Sequence, residues 1–143
     1  MSPYNISPSV WGKSFWNTIY YVVISYSDKP TDDDKIHVKN FLESLQFVLP
    51  CENCRYHYGE NLKRSPITNE VLASRVNLLV WTVNVNNEVN KRLGKPAITV
   101  EKIIQKYTQN NDNNDINDNW KFIATIILLV FLIVLLIYYV KKY

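Results

Sequence analysis

An all-α fold is predicted by three observations. Apolar residues recur at helical spacing through four successive segments. Proline and glycine stand where those segments should stop. No segment carries a convincing strand pattern. Short connections favour antiparallel neighbours, hence a four-helix bundle with a short fifth helix. A C-terminal transmembrane helix completes the expected architecture.

The first helix opens at Ser7-Pro8, an N-cap followed by proline at the first helical position. Trp11, Phe15, Ile19, Val22, Val23 and Tyr26 supply its apolar face, and Asp28-Lys29-Pro30 ends it. The second starts at Thr31, with Asp34 three residues on, a capping-box-like pair. Val38, Phe41, Leu42, Leu45, Val48 and Leu49 form its face, and Pro50 breaks it. A third helix is expected from about Cys51 to Lys63, before the turn Arg64-Ser65-Pro66. The fourth is expected to start near Thr68 and carries Val71, Leu72, Val76, Leu79, Val80 and Val83. Gly94, with Pro96 beyond it, is its stop signal. A short fifth helix covers Val100 to Tyr107.

The 143 residues suffice for one compact domain, assigned to residues 1–108. Gln109 to Asn119 reads QNNDNNDINDN, too polar to offset the entropy of ordering, so residues 109–121 are expected to be a flexible linker. Phe122 to Val140 contains no charge, and its 19 residues would span roughly 28 Å as a helix, close to a bilayer core. Trp120, Lys121, Tyr138, Tyr139, Lys141 and Lys142 flank it with interfacial chemistry. The N-terminal MSPYNISPSV has neither a basic nor an apolar signal region. A single-pass tail anchor with its folded domain in the cytosol is therefore expected. The net charge is only +3, with no basic stripe interleaved with aromatics, which argues against nucleic-acid binding.

Cys51 and Cys54 are the only two cysteines, spaced C-x-x-C behind Pro50. Such a pair can close a reversible two-electron loop or supply half of a metal site. A helix N-terminus favours thiolate there through its unpaired N–H groups and dipole. Thioredoxin-like proteins put the motif after a strand, whereas here an amphipathic helix precedes it. Cys51, Cys54, His57 and His37 have zinc-ligand character. Structural zinc, however, usually organises chains poor in core, and this chain has ample core, so no metal is assigned.

Three stretches in order carry a resemblance: WGKSFW over residues 11–16, PCENC over 50–54, and WTVNVNNEVNKRLGKP over 81–96. Together they closely resemble the Erv/Alr family of FAD-linked sulfhydryl oxidases, over about residues 10 to 107. The resemblance implies a helical bundle holding FAD, with Cys54 the flavin-proximal thiol and Cys51 the one that exchanges with substrate. It implies cofactor contacts from Trp11, Gly12, Lys13, Trp16, Tyr20, Cys54, His57, Trp81, Asn86, Asn87, Val89, Asn90, Arg92, Lys95, Lys106 and Tyr107. Asn87 and Asn90 share a face toward the adenosine half, and Arg92 and Lys95 lie near the diphosphate. Two positions depart from the family: Asn86 and Tyr20 stand where it has histidine.

The implied activity is oxidation of protein thiols to disulfides, with electrons passing to oxygen to give hydrogen peroxide. The family's second cysteine pair is missing, so substrates, or a small dithiol carrier protein, must reach Cys51 directly. A homodimer formed through the first two helices is also implied. Small viral members share the reduction to one CxxC, which implies a large DNA virus and a place in host cytoplasm or virion membrane. The competing readings are a tail-anchored helical adaptor with a structural CxxC or zinc half-site, and a flavin-free dithiol carrier.

Overall fold

The computed structural model describes residues 6–108 and 110–142. Among the described residues there is no strand. The helices are α1 (Pro8–Ile24), α2 (Asp32–Val48), α3 (Glu52–Arg64), α4 (Arg75–Arg92), α5 (Val100–Thr108) and α6 (Asn110–Lys142). A single 3-10 turn, Val71–Ala73, precedes α4.

The helix starts follow side-chain chemistry. Ser7 caps α1 with proline at the first position. Thr31 and Asp34 form a reciprocal capping box on α2: each side chain accepts the other residue's backbone N–H. Gly94, at φ +65°, ends α4. The Gly94 N–H donates to the Lys91 carbonyl, and the Lys95 N–H donates to the Asn90 carbonyl. That is a Schellman motif, which satisfies carbonyls the helix leaves open.

The fourth helix starts later than expected. Its N-cap is Ser74, whose side chain accepts the Asn77 N–H at 3.2 Å. Val71 and Leu72 belong to the 3-10 turn instead. A serine cap three residues before a free N–H outweighs apolar periodicity in setting the boundary. Not all of the apolar set is buried. Val76 and Val80 are exposed, and Leu78, Leu79, Trp81, Thr82, Val83, Val85 and Asn86 are buried. On α2 likewise, Val48 is exposed while Leu49 is buried.

Two compact units are separable, Met1–Ile104 and Gln105–Tyr143. In the first, α2 packs on α3, α1 on α4, and α4 on the 3-10 turn. Leu42, Leu72, Leu78 and Val23 are fully buried apolar side chains at its centre. Burying each such side chain stabilises the fold by about 1.5–3 kcal/mol. Two tyrosine hydroxyls tie the elements together. Tyr58 of α3 donates to the Leu42 carbonyl of α2, and Tyr26 to the Leu72 carbonyl, both at 3.0 Å.

In the second unit, residues 110–121 have helical backbone continuous with the apolar run, within the 33 residues of α6. These residues belong to the stretch expected as a polar linker; Gln109 lies outside the described residues. Once an apolar helix exists, each added residue gains a hydrogen bond without a new nucleation cost, so helix extends into poor formers. Phe122–Tyr139 is long and apolar enough to cross a membrane, with mean hydropathy 3.0 and none of it buried.

Candidate active site

Pro50 stops α2, and Cys51 becomes the N-cap of α3. Cys51 and Cys54 form a disulfide with Cα atoms 5.1 Å apart. The Cys54 N–H donates to Cys51 Sγ at 3.2 Å. Sulfur thus does the work an N-cap hydroxyl normally does. Both cysteines are half-buried, so the bond is reachable from solvent yet backed by protein. Arg55 fastens the turn from behind, its Nη1 donating to the Leu49 carbonyl at 2.6 Å.

The other motif residues occupy three places. On α1, Trp16 and Tyr20 have ring centroids 6.1 Å apart, and Tyr20 is buried. Trp11 is half-buried, donates Nε1–H to the Ile6 carbonyl and meets Phe15 edge-on. A Cβ at Gly12 would meet nothing within 4 Å, and Lys13 is exposed. On α3, His57 is exposed and lies edge-on to Tyr56, their centroids 5.3 Å apart. His37 of α2 is exposed as well. Among the described residues, no group of three or more His, Cys, Asp or Glu is placed to hold a metal ion.

On α4, the asparagines do unlike things. Asn86 is buried and its Oδ1 accepts from Asn90 Nδ2 at 3.0 Å, an i,i+4 pair on one face. Asn87 instead bonds the backbone of Ile98 with both ends of its amide. Trp81 is buried, and its Nε1–H donates to the Ser65 carbonyl at 2.9 Å. Val89 is half-buried; Arg92 and Lys95 are exposed at the basic end of the helix. Lys106 and Tyr107 fall in the second unit, where Lys106 Nζ lies 4.6 Å from the Tyr107 ring centroid.

Sequence reasoning missed Asn61. It is buried on α3, 2% exposed, within an otherwise polar helix. Its Oδ1 accepts from Arg64 Nη2 at 2.7 Å and from Arg92 Nη1 at 3.3 Å. Its Nδ2 has no partner among the described residues. The available signal was spacing: Asn61 stands seven residues after Cys54, two turns along the same face of α3.

These residues fit a flavin dinucleotide chemically. A buried donor awaits an acceptor at Asn61. Arg92 and Lys95 offer cationic compensation for a diphosphate. The Trp16 and Tyr20 rings and the Asn86–Asn90 amides offer stacking and hydrogen-bonding surface.

The sequence profile of the Erv1 / Alr family matches residues 13–109. A protein of Acanthamoeba polyphaga mimivirus named "Probable FAD-linked sulfhydryl oxidase" is 36% identical over 119 residues, 82% of this chain and 83% of its own. An FAD-linked sulfhydryl oxidase of African swine fever virus is 35% identical over 103 residues, covering 69% of this chain and 81% of that one. The FAD-binding domain of Erv1 from Saccharomyces cerevisiae superposes with a TM-score of 0.67 at 26% identity, over 73% of this chain and 96% of the yeast one.

Proposed function

We propose a mechanism for this chain on one premise: it belongs to the Erv1 / Alr family and is an FAD-dependent thiol oxidase acting on protein thiols. The Cys51–Cys54 disulfide at the head of α3 is the observation that carries the mechanism.

A substrate thiolate attacks Cys51 Sγ. The Cys51–Cys54 bond breaks, a mixed disulfide forms, and Cys54 leaves as thiolate. A second substrate thiolate then attacks the substrate sulfur of that mixed disulfide. The substrate departs oxidised and Cys51 leaves as thiolate. The Cys54 N–H that reaches Cys51 Sγ, together with the α3 N-terminus, supports this departure by holding the new negative charge. Bound FAD supplies the two-electron acceptor that restores the disulfide and hands the pair to oxygen, so two thiols and one O2 become one disulfide and one H2O2.

The protein's part is positioning. Residues 1–108 form the oxidase domain, with α1 to α4 as the four-helix bundle around the cofactor. Arg92 and Lys95 would compensate the diphosphate, and Trp16, Tyr20, Asn86 and Asn90 would hold the remainder by stacking and hydrogen bonding. Lacking a second cysteine pair, the enzyme takes electrons from substrates directly or from a small dithiol carrier protein. The exposed apolar residues Tyr21, Ile36 and Phe47 on α1 and α2 support a homodimer through those helices. The uncharged run Phe122–Tyr139 within α6 supports a single-pass anchor, with residues 109–121 as spacer and the oxidase domain on the cytosolic side.

The test is the full chain in detergent. It should show a flavin band near about 450 nm and consume oxygen when given a dithiol. A folded chain that stays colourless with added FAD and takes up no oxygen sinks the mechanism.

A further inference from the structure

We infer that Asn61 is a cofactor-binding residue outside the family motifs, whose side-chain N–H donates to the ribityl-diphosphate chain of FAD. The inference rests on the FAD mechanism proposed above.

Three observations carry it. Asn61 is 2% exposed, and its Nδ2 finds no acceptor among the described residues. A buried donor without a partner costs free energy, so the state that supplies an acceptor is favoured. Second, its Oδ1 accepts from two guanidinium groups, those of Arg64 and Arg92. Two cations drawing on the carbonyl oxygen polarise the amide and make its N–H a stronger donor, best matched by an anionic oxygen. Third, Asn61 lines a cavity of about 340 Å³ between α3 and α4, with Ser65, Asn84 and Asn87 among its walls. The cavity has room for part of a dinucleotide.

The register is consistent. Asn61 lies on the Cys54 face of α3, roughly 10 Å further along the helix axis. A ligand whose ring is at Cys54 brings its chain to that level. Arg92 of α4 is held to the same amide, so one residue joins the redox helix to the basic end of α4.

The discriminating variant is Asn61→Asp. It keeps an acceptor for both arginines but puts oxygen where the donor was. FAD affinity, from flavin fluorescence on the full chain in detergent, should weaken about tenfold or more. The melting temperature without FAD should not fall. Asn61→Ser, too short to reach the same point, should lose affinity similarly and covers the case in which the aspartate variant fails to accumulate. FAD binding within twofold of the parent in the variant that accumulates overturns the inference and leaves the oxidase mechanism standing. A lowered FAD-free melting temperature with unchanged affinity reduces Asn61 to a packing residue. A parent chain that binds no FAD overturns both readings.

Discussion

The side chain of Asn87 imitates a backbone partner for Ile98. Its Nδ2 donates to the Ile98 carbonyl and its Oδ1 accepts the Ile98 N–H, both at 2.9 Å. The segment after Gly94 is thereby folded back along α4. Asn87→Ala should cost about 1–3 kcal/mol, because a half-buried backbone pair loses both partners. A melting curve measures the cost. Faster amide exchange at Ile98 would locate it, and an unchanged exchange rate would show that the loop is held by something else.

Either cysteine variant, Cys51→Ala or Cys54→Ala, should abolish thiol-dependent oxygen uptake while the flavin band persists. The two should differ toward a protein substrate. Given the oxidised form of a protein substrate, Cys54→Ala keeps the exchanging thiol: Cys51 attacks the substrate disulfide, one substrate thiolate leaves, and the mixed disulfide shows on a non-reducing gel, whereas Cys51→Ala traps few. Full activity in Cys51→Ala would reverse the roles.

Most helix boundaries were legible in residue order, because local chemistry fixed them. Ser7, the Thr31–Asp34 box and Gly94 act within a turn of themselves, and the structure bears them out. The start of α4 was not. Val71 and Leu72 fit a helical period, but Ser74 supplies the cap, and its hydrogen bond sets the boundary. Asn61 stayed hidden for another reason. Its meaning comes from Arg92, 31 residues away, and no local pattern announces such a pairing.

Burial raises the pKa of the Tyr58 hydroxyl, and the nearby Glu43 charge adds to the effect. The unfolded chain therefore loses this proton more readily than the folded one. Tyr58 contributes its full stability below the ordinary tyrosine value of 10.0, and that contribution drains away as pH climbs above it. Tyr58→Phe also removes the bond to the Leu42 carbonyl and should cost about 1 kcal/mol or more at neutral pH. Its stability should decline less steeply in alkali than the parent's. Denaturant melts at pH 8 and about pH 11 test both points, and parallel curves would count against them.

Gly94→Ala places a side chain at φ +65°, where nothing crowds the new Cβ but the backbone itself disfavours it. The cost should be roughly 1–2 kcal/mol. Gly94→Asn should recover part of it, since asparagine tolerates that conformation better. Equal stability of all three chains would remove the Schellman turn from the account.

Deleting α6 should move the chain from the membrane pellet to the supernatant while leaving dithiol oxidation in detergent-free buffer. Carbonate extraction of the full chain gives the complementary result: it should stay with the membrane. Release by carbonate would point to surface attachment.

Cys51 caps its own helix with the sulfur proposed above to exchange with substrate, and in genetic terms this makes one lesion unusual. Serine is a favoured residue at that helix position, so a Cys51→Ser allele should retain the α3 start and the fold. It would encode a durable protein with a single thiol, unable to turn over. If the anchor and homodimer proposed above hold, such a protein should interfere with the normal product. The expected phenotype is dominant, where a deletion would be recessive.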